Sequence, residues 1–279
     1  SDIQENQERL FLCICHNTER KVIPSALNYT GGKYKLLPQI LPLFPQDVDC
    51  VVDLFCGGCN VGINVSCSRV HFNDSSEPLI GLLNTLKRIP KEEVFQWIHG
   101  AIRRYGLSMV SEKGYDYYQC PSSQGLGAYN RDGYNRLRED FNKKTERDQE
   151  YYLMLYLLIV YAFNNQLRFN QKGEFNLPVG KRDFNDRMQS KLEEFIDRIQ
   201  SGDYTFTHGD FRDIDPDCYT RDSFFYADPP YLITCATYNE QDGWTEEDER
   251  ALLAYLEELD RRGIRFALSN VLESKGKKN

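Results

Sequence analysis

Two short apolar runs, each ending at a loop of glycines or prolines, constrain the fold of this sequence most strongly. The run from Cys50 to Phe55 stops at a pair of glycines, and the run from Ser223 to Ala227 stops at Asp228 and two prolines. Apolar runs of this length, bounded by residues that break regular structure, predict buried parallel strands. We therefore expect an α/β fold in which strands alternate with helices.

The remaining elements follow from the same patterns. Further strands are expected at residues 70–73, 204–208 and 264–268, and helices at 77–88, 91–105, 148–163, 186–200, from Thr245 to Gly263, and from about Val61. The alternation is interrupted by a mostly helical stretch with a candidate hairpin turn at Lys172-Gly173. We expect an N-terminal extension (1–24), an α/β domain (25–95 and 201–279) and an inserted helical domain (96–200).

Charge and cysteine content narrow the class of protein. The chain has 279 residues and a net charge of −8, which taken alone argues against a nucleic-acid partner. However, residues 240–260 also carry a net charge of −8, whereas residues 164–191 carry +3, so a locally basic surface is expected. Nine cysteines without disulfide spacing indicate a reduced, cytoplasmic protein, and no segment reaches the ~18 apolar residues of a membrane span.

The strongest chemical signal is Asp228-Pro229-Pro230-Tyr231, which directly follows the last apolar run. Loops at the carboxyl ends of parallel strands are where α/β folds bind ligands. Proline has no N–H donor, so the loop offers a carboxylate and backbone carbonyls as acceptors, and Tyr231 offers a ring for stacking. This arrangement suits an amino group on a base, although a proline turn that merely caps a strand is the alternative.

A second signal is the glycine loop after the first strand. Glycines there allow a ligand to approach the backbone, and Asp74, about twenty residues later, is placed to bind a ribose diol. Cys56 and Cys59 have the spacing of a redox or zinc motif, but no second pair completes a metal site, so we expect no metal.

The polar segment Phe163–Asn170 is the third signal. Arginine and asparagine side chains can read base edges, and an aromatic ring can fill a gap in a base stack. A solvated hairpin explains the same composition equally well.

Taken in order, these motifs resemble the Dam-type DNA adenine methyltransferases, which include modification enzymes of restriction systems. The resemblance runs from Asn28 to Asn270. It rests on the segments Tyr29–Lys33, Asp53–Gly58, Tyr134–Asn142, Arg168–Gly180, Asp210-Phe211, Asp228–Tyr231 and Leu268–Asn270. The family's glycine loop has a further glycine where this chain has Cys59.

The resemblance implies a doubly wound, Rossmann-like methyltransferase sheet with an inserted target-recognition domain. It implies transfer of a methyl group from S-adenosyl-L-methionine to the N6 amine of an adenine flipped out of double-stranded DNA. It further implies catalysis by Asp228, Pro229, Pro230 and Tyr231. The cofactor contacts that it implies are Tyr29, Gly31, Lys33, Asp53, Phe55, Gly57, Gly58, Asp74, Asp210 and Phe211. The DNA contacts that we expect are Phe163, Asn164, Arg168, Asn170 and Lys181.

The resemblance also suggests a cognate restriction endonuclease as partner and a location at the nucleoid. Family members continue past Asn270 with a closing β-hairpin, which implies that this chain is truncated at its C terminus. The acidic helix at 245–260 is expected to face away from DNA.

Three alternatives stay open. The methylated amine could be cytosine N4 or an adenine of RNA. The chain could be a non-catalytic module that binds DNA or the cofactor. A nicotinamide dehydrogenase is a third, but the Gly-x-Gly-x-x-Gly fingerprint is absent from the sequence.

Overall fold

A five-stranded parallel sheet forms the centre of the molecule. The computed structural model describes residues 20–29, 31–230 and 243–270, and the backbone of residues 273–274 and 277–278. The strands are β1 (Cys50–Asp53), β2 (Arg69–Asp74), β3 (Asp203–His208), β4 (Ser223–Ala227) and β5 (Arg265–Leu268). Their order in the sheet is β3-β2-β1-β4-β5, and every pairing is parallel. The predicted α/β fold and all five predicted strands are confirmed.

The direction of winding reverses between β1 and β4. From β1 the chain adds β2 and β3 on one side, and it then returns to place β4 on the other side. Both central strands are buried along their whole length, which explains their continuous apolar sequences. Asp53 ends β1 and Asp228 directly follows β4, so both carboxylates lie at the switch point where such sheets bind ligands.

The described residues form six long helices, which pack on the sheet or on one another. They are α1 (Glu77–Arg88), α2 (Lys91–Tyr105), α3 (Gly127–Lys143), α4 (Gln149–Tyr161), α5 (Asp186–Ser201) and α6 (Glu246–Arg261). Helix α6 begins at a capping box between Thr245 and Asp248, as its sequence predicts, and Gly263 follows its end with φ +71°. Helix α3 lies in a part of the chain where the sequence patterns indicated no element. Within the described residues, no helix has the length and apolar character to cross a bilayer.

The prediction of a helix from about Val61 is wrong, because only a 3-10 turn forms at Gly62–Asn64. The Asn64 side chain donates to the carbonyl of Ile23 and accepts from its N–H, and it also donates to the carbonyl of Asn60. The backbone then becomes extended at Val65. This segment therefore anchors the chain that leads into the active site and does not continue as a helix.

Apolar clusters cover both faces of the sheet. The larger one runs without interruption from β2 and β3 through α1 and α4 into the insertion, where α4 is buried from Tyr151 to Tyr161. The smaller one joins β1, β4 and β5 to α6 and to the turn at Phe211. The proposed domain boundaries fall inside α2 and in the last turn of α5, and the division into two domains stays a prediction.

The chain continues after β5 with a pair of two-residue strands. These strands, β6 (Glu273–Ser274) and β7 (Lys277–Lys278), pair in antiparallel fashion.

Candidate active site and nucleic-acid interface

A cavity of about 310 Å³ opens at the carboxyl edge of β1 and β4. Three segments of chain supply its walls: the loop before the sheet, the glycine loop after β1, and the loop after β4. Of the predicted catalytic and cofactor-binding residues, the lining contains Tyr29, Gly31, Lys33, Asp53, Phe55, Gly57, Gly58, Asp74, Asp228, Pro229 and Pro230. The fold therefore brings most of the predicted site to one place. Tyr231 lies outside the described residues.

The glycine loop is shaped by the ring of Tyr29 and by the carboxylate of Asp74. Gly57 has φ +48°, and a Cβ atom there would lie 2.8 Å from the Tyr29 ring. One oxygen of Asp74 accepts a hydrogen bond from the Gly57 N–H and the other from the Ser76 N–H, both at 2.9 Å. Asp74 thus fixes the loop, and each of its oxygens keeps a lone pair for a ligand.

Cys56 and Cys59, the two cysteines of this loop, help to form the loop and have no redox or metal-binding role in the observed geometry. Cys59 has φ +67°, a left-handed conformation that a glycine would adopt without strain, which accounts for the glycine of the family at this position. Burial raises the pKa of both Cys56 and Cys59, so both remain thiols, the form that neither attacks nor binds metal. No cluster of potential metal ligands occurs within the described part of the chain.

Asp53 is a buried carboxyl group with spare hydrogen-bonding capacity. Its side chain is 2% exposed, and its Oδ1 has no hydrogen-bond partner among the described residues. Burial, followed by the negative charges of Asp228 and Asp74, raises the pKa of Asp53 to about 8. Burial also raises the pKa of Asp74. Three carboxyl groups around one cavity favour a cationic ligand, whose charge would relieve their mutual repulsion.

Asp228 is paired with Lys33 at the mouth of the cavity. The Lys33 Nζ lies 2.6 Å from the Asp228 Oδ2 and 3.1 Å from the carbonyl oxygen of Gly31, and both charged side chains are largely buried. An ammonium group is an N–H donor, so the Asp228 carboxylate here accepts from the kind of group that a substrate amine would present. Lys33 was predicted to hold a cofactor, and the structure places its ammonium group at the candidate catalytic carboxylate.

A second cavity of about 240 Å³ adjoins the first. The two cavities share Phe55, Ser75 and Pro230, and the lining of the second also includes Asp210, Phe211 and Trp244. The ring of Phe55 lies 5.5 Å from that of Phe211 and 5.6 Å from that of Trp244. This aromatic wall suits a planar heterocycle. Trp244 was not predicted as a site residue. It is one of only two tryptophans in the sequence and directly precedes the helix cap Thr245, and this position was a usable signal.

Asp210 already has protein partners. Its carboxylate accepts from the backbone N–H and from the guanidinium of Arg212, and Arg212 also binds Asp248 at the start of α6. The Asp210 side chain therefore caps the turn that carries Phe211, while its carboxylate borders the second cavity.

Phe163, Asn164 and Lys181 meet around a separate concave surface of about 330 Å³. Asn28, Ala162, Asn165 and Arg182 complete this surface, which we call the Phe163 concavity. Helix α4 ends just before it, and Phe163 is 48% exposed although the helix itself is buried. Since Asn28 immediately precedes Tyr29, the concavity adjoins the first cavity along the chain.

Two consecutive left-handed residues turn the chain at this point. Asn164 has φ +55° and Asn165 has φ +52°, a conformation that asparagine tolerates better than most residues. The buried Asn165 side chain donates to the carbonyl of Val160 and accepts from Asn28. Asn165 thus caps α4 and directs Phe163 and Asn164 to the surface. Backbone strain of this kind clusters at functional sites.

Arg168 and Asn170 lie apart from the concavity, on the predicted hairpin, which is confirmed by the antiparallel bridge between Phe169 and Phe175. The Asn170 Oδ1 accepts the N–H groups of Lys172 and Glu174, so this side chain builds the turn. Arg168 is exposed, and its Nε donates to the Asn176 Oδ1 at 2.8 Å.

Helix α3 holds the hairpin in position. Asn142 donates to the carbonyl of Phe175 and accepts from its N–H, as a neighbouring strand would do. Tyr134 and Arg138 both donate to the carbonyl of Leu177. These contacts give a physical role to the Tyr134–Asn142 motif.

The basic segment 164–191 is free of internal ion pairs. None of its six cations lies within 4.0 Å of a carboxylate among the described residues; they are Arg168, Lys172, Lys181, Arg182, Arg187 and Lys191. By contrast, the acidic α6 is partly neutralised by arginines that include Arg212 and Arg262. Cations without a carboxylate partner keep their charge available for an external anion.

Comparison with known proteins agrees with this geometry. The modification methylase StsI of Streptococcus sanguinis is 38% identical over 269 residues, which are 94% of this chain and 38% of that protein. The type II methyltransferase M.FokI of Planomicrobium okeanokoites is 37% identical over 92% of this chain and 37% of its own length. The chain thus spans less than two-fifths of these two relatives. The DNA adenine methylase of Escherichia coli K12 is 29% identical over 88% of this chain and 79% of its own length.

The family model of the D12 class N6 adenine-specific DNA methyltransferases matches residues 29–278. This match covers the cavity loops, the insertion and the loop after β4, and it confirms the expected family. The chain therefore belongs to the D12 class N6 adenine-specific DNA methyltransferases.

Proposed function

We propose that this protein transfers a methyl group from S-adenosyl-L-methionine to the N6 amine of an adenine in double-stranded DNA. The observation that carries the proposal is the position of Asp228. Its carboxylate lies at the switch point of the sheet, at the mouth of a cavity, and is within 2.6 Å of an N–H donor. The two prolines that follow add acceptors and no donors.

The residues around the two cavities fit the proposed cofactor. The unpartnered Oδ1 of Asp53 is placed for a cationic amino group, and Asp74 has lone pairs left for a ribose hydroxyl. The aromatic wall of Phe55, Phe211 and Trp244 suits the adenine ring. When bound, the cofactor supplies an electrophilic methyl group on a sulfonium.

The protein's part in the reaction is to position and polarise the target amine. Asp228 and the carbonyl group of Pro229 would accept hydrogen bonds from the two N–H groups of the amine. These bonds would direct the nitrogen lone pair out of the ring plane. Fixed acceptors of this kind act without reorganisation during the reaction. The ammonium of Lys33 lies on the Asp228 Oδ2, so an entering target amine would either share this carboxylate with Lys33 or displace it.

The basic insertion would hold the DNA. Lys181 and Arg182 are suited to phosphates, and Arg168 and Asn170 on the hairpin are suited to base edges. The exposed ring of Phe163 could fill the gap left by a flipped base. The unpaired cations of residues 164–191 support this assignment.

A role in a modification system is the biological setting that we propose. The relative StsI is named a modification methylase, and methylation of its own site would protect cellular DNA from a cognate restriction endonuclease. A DNA substrate would place the enzyme at the nucleoid.

The chemistry is tested by identifying the methylated nucleoside. The wild-type protein is incubated with labelled cofactor and unmethylated bacterial DNA, and the product is digested to nucleosides. We expect the label only in N6-methyl-2′-deoxyadenosine from the DNA. Label in N4-methylcytosine, or transfer to RNA in preference to DNA, would contradict the proposal. Cofactor binding without any transfer would favour a non-catalytic module.

A further inference from the structure

A group of exposed tyrosines lies on the insertion, outside the sites described above. Tyr115, Tyr117 and Tyr129 are 42%, 58% and 43% exposed. Beneath them, the buried ring of Tyr118 makes edge contacts with those of Tyr117 and Tyr129 at 5.1 and 4.6 Å. We call the three exposed tyrosines, together with the exposed Lys113, the tyrosine patch.

The patch is a fixed platform. The hydroxyl of Tyr118 accepts the N–H of Met109 at 2.8 Å. The buried Asp183 accepts from the Ser108 hydroxyl and from the N–H of Val110, where the short helix Val110–Lys113 begins. Tyr118 therefore supports the rings of Tyr117 and Tyr129, which stay exposed at the surface. Tyrosines in such positions are enriched in interfaces, where the ring packs and the hydroxyl donates.

The patch adjoins the Phe163 concavity through the start of α3. The N–H of Leu126 donates to the carbonyl of Lys181 at 3.2 Å. A Cβ atom on Gly125 would lie 2.9 Å from Lys181, so the two backbones are in close contact. Tyr129 follows on the first turn of α3. A duplex that reaches Lys181 would extend over the patch within a short distance.

Lys113 supplies the positive charge of the patch, where the exposed acids Glu112 and Asp116 are its neighbours in sequence. The ammonium of Lys113 lies 4.5 Å from the centre of the Tyr117 ring and has no carboxylate within 4.0 Å among the described residues. The helix of Lys113 is tied to the chain just after Lys181 and Arg182, because the N–H of Val110 donates to the carboxylate of Asp183. Lysine and tyrosine side chains are both regular donors to DNA phosphates.

We propose that the tyrosine patch binds the sugar–phosphate backbone of duplex DNA flanking the target adenine. The inference rests on the proposed function, because it needs DNA in the concavity. Contacts of this kind carry no sequence information, but they set register and lengthen the footprint. The patch would thus make affinity depend on the length of the duplex around the recognition site.

The test compares binding to a short and a long duplex that share one site, of about 12 and about 30 base pairs, with 3.4 Å of rise per pair. The variants are a triple Tyr115→Ser, Tyr117→Ser, Tyr129→Ser and a single Lys113→Gln. We expect the triple variant to bind the long duplex about tenfold more weakly than wild type, with near-normal binding and methylation of the short one. Lys113→Gln should reduce the salt slope on the long duplex by about one. Leu253→Ser, at an exposed apolar position of α6, is the control and should behave as wild type.

Three outcomes would overturn the inference. The first is a triple variant that keeps the full gain in affinity with duplex length. The second is an equal loss on both duplexes, which would indicate damage to the insertion. The third is a wild-type dimer in sedimentation that the triple variant abolishes, which would make the patch a protein interface. If the wild-type protein transfers no methyl group to either duplex, the proposed function fails, whereas methylation of both without a length effect removes only the patch.

Discussion

The affinity of this protein for its cofactor should depend on pH through Asp53. The pKa of this buried carboxyl is about 8, whereas that of an unperturbed Asp is 3.8. An amino group of the ligand can form an ion pair with Asp53 only when this side chain is a carboxylate. Without a ligand, Asp53 is ionised in only about a tenth of the protein molecules at pH 7. The protein must therefore release a proton when the cofactor binds.

The size of the effect follows from the ionised fraction. Below a pKa of about 8, this fraction falls about tenfold per pH unit, and the apparent affinity falls with it. The dissociation constant should thus be about tenfold larger at pH 6 than at pH 7. Above about pH 8 the ligand's own α-amino group loses its proton, so affinity should decline again.

The assay is calorimetric titration with S-adenosylhomocysteine, which has the same amino-acid end and does not react. Titration at pH 6, 7 and 8 gives the pH dependence, and two buffers of different ionisation enthalpy give the number of protons released. Asp53→Asn cannot ionise, so its affinity should vary little over this range and should be about 10- to 100-fold weaker than wild type at pH 8. A flat profile for the wild type, or the same slope in the variant, would refute the reasoning.

Three further predictions concern positions around the site. Lys33→Met should lower kcat by about 10- to 100-fold, because the variant loses the cation beside the catalytic carboxylate, and should change cofactor affinity little; the reverse pattern would make Lys33 a cofactor ligand. Gly62→Ala should lower the free energy of unfolding by about 1–3 kcal/mol, since its Cβ would lie 2.3 Å from the ring of Phe72. The control Gly100→Ala, in α2 with open space around it, should raise it by about 0.5–1 kcal/mol, and equal effects in denaturant unfolding would refute the steric account. Asn142→Ala should weaken DNA binding about tenfold and leave cofactor binding unchanged, because it releases the hairpin; loss of both activities would mean a general folding defect.

The strands could be predicted because their signals are local. The five apolar runs lie between glycine, proline or polar breakers, and each observed strand matches its prediction to within two residues. Asp53, Asp74 and Asp228 could be placed together for the same reason, since each lies at the carboxyl end of a predicted strand. The sequence order of the strands, combined with the ligand-binding edge of α/β sheets, is enough for that inference.

Features that depend on distant partners could not be predicted. The turn at Gly62–Asn64 replaces a helix because Asn64 binds the backbone of Ile23, forty-one residues away. Lys33 and Asp228, which form an ion pair, lie 195 positions apart in the sequence. The residue pattern around either one does not indicate the other as its partner. Hydrogen bonds between side chains and a distant backbone have no sequence period.

The measurement that tests the account most directly is the rate of a single turnover in Asp228→Asn. Wild type and variant are compared with DNA and cofactor both saturating, and with binding of each checked separately. Asparagine keeps the shape of the side chain but loses the charge and one acceptor, so we predict that both ligands bind and that methyl transfer slows by about 10² to 10³. Asp222→Ala, at the opposite end of β4, is the matched control and should retain the wild-type rate. Transfer at the wild-type rate by Asp228→Asn would contradict the claim that this carboxylate activates the amine.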